Sequence, residues 1–139
     1  MRAIMQRVSA ALLLTCGSAL FAQAQQVAVQ RDVSATAGRD ARFGIYTNLR
    51  SDCTPGPLPA IRLVTPPAHG TVTVKRGTLK ATNLQQCLAA ELPVLIGLYH
   101  AVANFNGADE FELEVTYPAG RKEIQHIRVN VSGGAEQQT

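Results

Sequence analysis

The chain has 139 residues, which is the length of one domain with short appendages. Apolar residues make up 46% of it, enough for a packed core, so the composition excludes a chain that is disordered throughout. Aromatic residues make up 5% and tryptophan is absent, which argues against the stacking surfaces of single-strand nucleic-acid binders. The net charge of +3 has to be interpreted from where the charges lie in the chain.

The first 24 residues have the three parts of a secretory signal peptide. Arg2 and Arg7 supply the positive start, an apolar run covers residues 8–21, and residues 22–24 form an A-x-A cleavage motif. We therefore predict cleavage after Ala24 and a product that is periplasmic or secreted. The apolar run is too short for a permanent membrane helix, so we expect no integral membrane span in the mature chain.

Anchoring as a bacterial lipoprotein through Cys16 is a second interpretation of this leader. Residues 13–16 read LLTC, which is similar to a lipoprotein box. The residue before the cysteine is Thr15, where Gly, Ala or Ser is usual, and the A-x-A motif downstream is better formed. The sequence therefore favours cleavage over anchoring.

Cleavage changes the charge balance of the product. The 13 basic residues include Arg2 and Arg7, so 11 remain against 10 acidic residues, a net charge of +1. Among the remaining basic residues, Lys75 with Arg76 and Arg121 with Lys122 are two adjacent pairs, and no basic stripe appears. Nucleic acid is therefore not an expected partner.

Short apolar runs alternate with turn residues through the rest of the chain, and no convincing amphipathic helix competes with them. About seven to eight strands in ~105 residues predict an all-β fold, an antiparallel Ig-like β-sandwich over residues 25–132, with a flexible tail at 133–139. Residues 83–91 are the one helix-like piece, a turn or brief helix that Pro93 closes. The predicted strands cover 27–33, 41–47, 61–65, 70–75, 78–82, 94–102, 109–117 and 123–131, with a turn at Arg76-Gly77 between the fourth and fifth.

More specific predictions concern one central strand and the last hairpin. The strongly apolar segment 94–102 is predicted to be central and covered on both faces. In the last hairpin, we place Leu113 opposite Ile127 and Phe111 opposite Val129, so that the apolar faces coincide. On the outer face this register pairs Glu112 with Arg128 and Glu114 with His126.

Two cysteines remain after cleavage, Cys53 and Cys87, and an even count in an exported chain predicts a disulfide. Only one intramolecular pairing is available, and the closed loop is long enough for roughly 3 to 4 kcal/mol of stabilisation. A redox role is the alternative, but the chain lacks C-x-x-C. A metal site built on these cysteines is disfavoured because no His lies at finger-like spacing.

Two motifs in this chain resemble those of bacterial cadherin-like and immunoglobulin-like repeats, which occur in surface adhesins and secreted multidomain proteins. Tyr99, Phe105, Gly107, Asp109 and Phe111 follow the late-strand pattern Y-x-P-x-x-x-F-x-G-x-D-x-F, with Ala101 in place of the proline. Earlier in the chain, residues 67–72 match P-x-H-G-T-V, a motif that includes His69 and Gly70. The similarity covers roughly residues 61–131 and implies a β-sandwich.

The chemistry of the late motif can be stated independently of the family. Gly107 lies where a turn needs a positive φ, which glycine adopts at little cost. Asp109 is placed to accept hydrogen bonds from nearby backbone N–H groups and to close the turn. Phe105 and Phe111 are expected to be buried beside the core.

The chain departs from the family pattern in ways that limit what the resemblance implies. The family often has an acidic turn that helps to hold Ca²⁺ between repeats, whereas residues 117–120 here read YPAG and carry no carboxylate. Calcium binding is therefore not expected, and we predict no cofactor. The chain carries a single unit, and the disulfide is not part of the repeat pattern.

Several histidines and carboxylates could bind a metal or take part in catalysis, but each also has a simpler structural explanation. His100 and His126 could coordinate a metal if they share a sheet face, although no third ligand is suitably spaced. His69 belongs to the family motif and is expected in a turn. The carboxylates of Asp109, Glu110, Glu112 and Glu114 are more typical of a solvated outer face than of a glycosidase pair. No hydrolase or phosphate-binding motif is present.

The sequence therefore favours a non-enzymatic exported module with a binding or structural role at the bacterial envelope, whose partner is another envelope or extracellular protein or a glycan. The rigid segment 52–59 is the expected contact surface. A small periplasmic metal-handling protein using His100 and His126 is the alternative. An enzyme, or an inhibitor that presents the proline loop, is a third reading.

Overall fold

The computed structural model describes residues 26–82, 87–88 and 91–133, together with Gly17. Cys16, the cleavage motif and residues 134–139 lie outside the described residues, as does most of the helix-like piece. The described residues form strands and no helix, so they include no helix that could cross a bilayer. The seven strands are β1 (Gln26–Thr36), β2 (Asp40–Tyr46), β3 (Ala60–Thr65), β4 (Gly70–Lys80), β5 (Glu91–Ala101), β6 (Gly107–Thr116) and β7 (Lys122–Ser132).

The strands form two sheets, which confirms the all-β class. One sheet has the order β1-β7-β6-β3 and the other has the order β2-β5-β4. β1 runs parallel to β7 over eleven residue pairs, and every other pairing is antiparallel. Side chains of both sheets share one core, as expected of a β-sandwich. Its largest members are Phe43, Tyr46 and Tyr99 on one sheet and Phe111, Leu113 and Ile127 on the other.

The predicted count of seven to eight strands is confirmed at seven, but the division of residues 70–82 into two strands was wrong, because β4 is a single strand. Residues 70–80 pair with β5 without a break, and the predicted turn at Arg76-Gly77 lies inside this ladder, where Gly77 is opposite Val94. Gly77 makes room rather than a turn: a Cβ atom added there would lie 2.9 Å from Cδ1 of Ile96. The sequence pattern alone does not separate these two uses of glycine.

Pro93 was expected to end a helical turn, but it lies inside β5. Pairing between β5 and β2 stops at Leu95, so residues 91–94 have a ladder partner on one side only. A proline is tolerated at such an edge because its missing N–H leaves no bond unmade. The carbonyl of Pro93 accepts a hydrogen bond of 2.9 Å from the Thr47 hydroxyl.

β5 is the central strand of its sheet, as expected, but only part of it is covered on both faces. Leu92 and Val94 are buried on the outer face, in a small cluster with Ala81. Tyr99 is buried on the inner face, whereas its neighbour His100 is exposed on the outer one. Glu91 and Pro93, on the inner face of the first half, are exposed, so only the middle of the strand, at residues 94–97, is covered on both faces.

The last hairpin has a different register from the one expected. Phe111 lies opposite Ile127, and Leu113 lies opposite Gln125. The shift is two residues, so the apolar side chains still face the core while each has a new partner. A five-residue turn sets this register, through hydrogen bonds from Tyr117 N to Arg121 O (2.9 Å) and from Gly120 N to Tyr117 O (2.8 Å).

Candidate binding surface

The motif residues converge on the carboxylate of Asp109, which is 4% exposed. Oδ1 accepts hydrogen bonds from the backbone N–H groups of Ala68 (3.0 Å) and Glu110 (2.9 Å). Oδ2 accepts from the N–H of His69 (3.0 Å) and from the hydroxyl of Tyr99 (2.7 Å). Asp109 accepts from backbone N–H groups, as expected, but Ala68 and His69 are distant in sequence, so these bonds hold the β3–β4 connection against β6 instead of closing the local turn.

Burial and hydrogen bonding have opposite effects on the acidity of this carboxyl group. Burial alone would raise the pKa of Asp109, but the bond from Tyr99 and the three backbone donors outweigh it, so the pKa lies below its usual value. The pKa of the Tyr99 phenol is raised, first by burial and then by its bond to the Asp109 carboxylate. The pair is therefore held as carboxylate and neutral phenol.

The rings of the motif surround this network. The His69 ring stacks on Phe105 at 4.1 Å between centroids, and Tyr99 lies parallel to Phe111 at 5.9 Å. Gly107 has a φ of +147°, as its place in the motif required. Phe111 is buried and Phe105 half-buried. All seven motif residues therefore meet at one end of the core, with the polar atoms of Asp109 and Tyr99 engaged in holding the fold.

The two candidate metal-binding histidines are not brought together. His100 lies on the outer face of the three-stranded sheet, with Nδ1 2.8 Å from Oδ1 of Asp40. His126 lies on the outer face of the other sheet, between Glu110 (3.7 Å) and Glu112 (3.9 Å). The core separates the two histidines, and no group of three or more metal-ligating side chains occurs among the described residues.

The carboxylates of β6 form a charged outer face rather than a catalytic pair. Glu110 lies near Arg128 (3.9 Å), and Glu114 lies near Arg62 (3.2 Å) and Lys122 (3.8 Å). The expected partners, Glu112 with Arg128 and Glu114 with His126, are each displaced by the two-residue shift of register. Asp109 leaves this acidic row because its side chain points inward.

A second buried polar network lies at the other end of the core, and sequence analysis missed it. The hydroxyl of Tyr46 donates to Oε1 of Gln125 at 2.6 Å, and Nε2 of Gln125 donates to Oε1 of Glu123 at 2.8 Å. Burial raises the pKa of Tyr46 to about 12. The available signal was the alternation of β7, which places Glu123 and Gln125 on the same side as Ile127.

The segment between β2 and β3 is an ordered loop, which we call the stapled loop (residues 48–59). A disulfide joins Cys53 to Cys87, with 5.3 Å between the Cα atoms, and confirms the expected pairing. The loop thereby connects to the segment between β4 and β5. Leu49 packs on the outer cluster of Leu92 and Val94, so the loop base covers the three-stranded sheet.

Hydrogen bonds inside the stapled loop fix its shape. The N–H of Arg50 donates to Thr54 O (2.9 Å), and the N–H of Gly56 donates to Asn48 O (2.9 Å). Asp52 accepts from the hydroxyl of Thr54 (2.5 Å) and from its N–H (3.1 Å), and these bonds lower the pKa of Asp52. The loop is therefore held in one conformation before any contact with a partner.

The exposed side of the stapled loop mixes charge with apolar surface. Arg50, Asp52 and Pro55 are exposed, and Leu88, which follows the disulfide, is 65% exposed. Leu88 has the largest exposed fraction among the large apolar side chains in the described ranges. A preorganised loop with an apolar residue and two opposite charges is suited to contact with another protein.

Comparisons with known proteins identify no family. No family model and no curated protein sequence matches the chain. The solution structure of Amebosin is similar over 78% of this chain and 99% of that one, at 9% sequence identity and a TM-score of 0.41. Similarity at that level carries no argument about fold or function.

Proposed function

We propose that this chain is an exported, non-enzymatic module of the immunoglobulin-like and cadherin-like type, which binds a protein partner at the bacterial envelope through the stapled loop. The observation that carries the proposal is the loop itself. Its conformation is set by a disulfide and by internal hydrogen bonds, while Leu88, Arg50 and Asp52 stay exposed. Rigid loops on a β-sandwich are a common place for recognition.

The strand order supports the immunoglobulin-like type. Constant-type immunoglobulin sheets place the second, fifth and fourth strands in one sheet and the third, sixth and seventh in the other. β2-β5-β4 and β7-β6-β3 follow that division, and β1 joins the second sheet beside β7. The convergence of the motif residues on Asp109 is a further, independent support.

The disulfide supports export. Disulfides persist in oxidising compartments such as the periplasm and are rare in the cytosol. The leader with its A-x-A motif points in the same direction, and the two observations come from separate parts of the chain.

Photo-crosslinking in the native envelope tests the proposal. A photoreactive amino acid at position 88 is expected to capture one recurrent protein, whereas the same group at Arg128, which is exposed on β7 in the other sheet, is not. With that protein purified, Arg50→Glu combined with Leu88→Ser is expected to weaken binding at least about tenfold. Binding that is unchanged by the loop variant would exclude the stapled loop as the contact surface.

Removal of the disulfide tests whether the shape of the stapled loop, in addition to its side chains, contributes to binding. Cys53→Ser with Cys87→Ser opens a loop whose ends are 34 residues apart, and we expect the free energy of unfolding to fall by about 4 kcal/mol. The exposed side chains remain, so a loss of partner affinity in this variant measures preorganisation. Urea unfolding measures the loss of stability, and titration calorimetry below the unfolding transition measures the affinity for the partner. An unaltered affinity would contradict a role for the fixed loop shape in binding.

A further inference from the structure

The four edge strands of the sandwich differ in how they are protected from pairing with other chains. β3 has six residues and a break in register between Leu63 and Thr65, and β2 has seven residues and a break between Arg42 and Gly44. Short strands and irregular register are common ways to protect an edge. These two edges are poor templates for a further strand.

The edge at β1 is long but lies against the other sheet. β1 contacts β2 along the side where the two sheets meet. Nη1 of Arg31 on β1 donates a hydrogen bond of 3.4 Å to the carbonyl of Phe43 on β2. This side of the sandwich is therefore closed.

β4 has neither kind of protection. It pairs with β5 over eleven residues without a break in register, and within the described part of the chain no strand lies on its other side. Val74 is 40% exposed on the inner face and Leu79 is 44% exposed on the outer face. A long regular edge with exposed apolar side chains is the kind of strand to which an extended segment can add.

The charge of β4 determines which partner fits this edge. Lys75, Arg76 and Lys80 are exposed, and residues 70–80 include no acidic side chain. Two copies of β4 paired antiparallel about their centre would place Lys75 opposite Lys75, and like charges in opposite positions are destabilising. The same residues attract a strand that carries carboxylates, so the charges disfavour self-association and favour an acidic partner.

We propose that β4 binds an extended acidic polypeptide segment, which adds to the sheet as a fourth strand. Backbone hydrogen bonds to the free edge hold the segment, and Glu or Asp side chains on its outer face lie beside Lys75. Apolar side chains on its inner face cover Val74. This surface is separate from the stapled loop, so its failure would leave the proposed function unaffected.

The probe is a nine-residue peptide of alternating glutamate and valine, blocked at both ends, titrated into the purified protein. Titration calorimetry measures affinity, and amide hydrogen exchange by NMR locates the bound strand. We expect backbone amides of residues 70–80 to gain protection while those of β2 stay unchanged. Lys75→Glu with Arg76→Glu is expected to weaken binding about tenfold.

A matched variant and two matched peptides make the result specific. Arg39→Glu with Arg42→Glu reverses the same charge at the opposite edge of the same sheet, and we expect affinity within about twofold of the unaltered protein. The same peptide with lysine for glutamate should not bind. A peptide of unchanged charge with proline at two central positions should not bind either, because it cannot continue a ladder.

Three results would overturn the proposal. The first is binding of the proline peptide with the same affinity as the glutamate–valine peptide, which would mean that charge attraction alone accounts for binding, without addition of a strand. The second is the absence of binding at about 1 mM peptide, the weak limit of measurable affinity. The third is a dimer of the protein in which amides of residues 70–80 are protected from exchange without peptide, because β4 would then be an interface between two copies.

Discussion

Two buried polar networks lie at opposite ends of one core, and they differ in what supplies the hydrogen bonds. Three of the four donors to Asp109 are backbone N–H groups, and the fourth is the Tyr99 hydroxyl. In the other network, Tyr46, Gln125 and Glu123 bond only through side chains. Backbone donors remain under every substitution except proline, so the first network needs its carboxylate, whereas the Tyr46–Gln125 bond of the second can in principle be replaced by apolar side chains.

The largest effect is expected from loss of the Asp109 carboxylate. Asp109→Ala leaves three backbone N–H groups and a buried hydroxyl without their acceptor, and we expect the free energy of unfolding to fall by about 4 kcal/mol. Glu110→Ala, the exposed neighbour on the same strand, is the control and should change it by less than about 0.5 kcal/mol. Urea unfolding measures both. A loss as small as that of the control would show that the network does not hold the β3–β4 connection.

The Asp109 network also predicts how stability depends on acid. The pKa of Asp109 is lower in the folded protein than its unfolded value of about 3.9. The contribution of this group is therefore present above about pH 4 and is lost as pH falls through the folded pKa. Asp109→Asn should flatten the fall in unfolding midpoint below about pH 4, measured by circular dichroism. An unchanged acid slope in this variant would contradict the assignment.

The network at Tyr46 should tolerate replacement of both partners. Tyr46→Phe and Gln125→Met are each expected to cost about 1–2 kcal/mol, because each leaves a buried polar group without a partner. The double variant should cost about 1 kcal/mol less than the sum, because it removes the Tyr46 hydroxyl and the Gln125 carbonyl together. The carboxylate of Glu123 loses its donor in both variants that lack Gln125. Tyr99→Phe with Asp109→Ala is the matched cycle at the other end, where the backbone donors remain unsatisfied. The unsatisfied donors cancel in the coupling energy, so the quantity to compare is the cost of each double variant, which should be larger at the Asp109 end. Equal costs of the two double variants would remove the distinction between the networks.

The smallest effect on stability is expected at alkaline pH, where Tyr46 and Tyr99 of the two networks respond in the same way. The folded pKa of Tyr46 is about 12, above the ordinary value of 10, and that of Tyr99 is also raised. A raised phenol pKa gives stability that is present below about pH 10 and lost as pH rises through the folded value. Tyr46→Phe and Tyr99→Phe should each reduce the loss of stability above about pH 10, followed by phenolate absorbance and circular dichroism. A base-induced loss that neither variant reduces would contradict both assignments.

The Asp109 end was open to prediction because its residues form a recognisable pattern along the chain. Gly107 and Asp109 have fixed spacing within one turn, and their backbone roles follow from residue type. Gln125 and Tyr46 are 79 residues apart, and neither residue type indicates that the other is its partner. The alternation of β7 indicates that Gln125 faces inward, but which side chain meets it depends on how the two sheets pack.

The errors within single elements have a common cause. Alternation repeats every two residues, so it placed Phe111 and Leu113 on the correct face but could not distinguish registers that differ by two. The turn at residues 117–121 makes that choice. Gly77 and Pro93 were interpreted as chain breakers, whereas one makes room for Ile96 and the other lies where β5 has one free side. Each depends on neighbours that are distant in sequence.

The parallel pairing of β1 with β7 has a mechanical consequence. The first residue of β1, Gln26, lies beside Lys122, and its last residue, Thr36, lies beside Ser132. The chain therefore enters the sandwich at one pole and leaves it at the other, roughly 35 Å away along the strands. A pull between Gln26 and Ser132 acts along the ladder and shears its hydrogen bonds together instead of opening them one by one. The β1–β7 pair therefore resists tension along the chain with all of its hydrogen bonds loaded together.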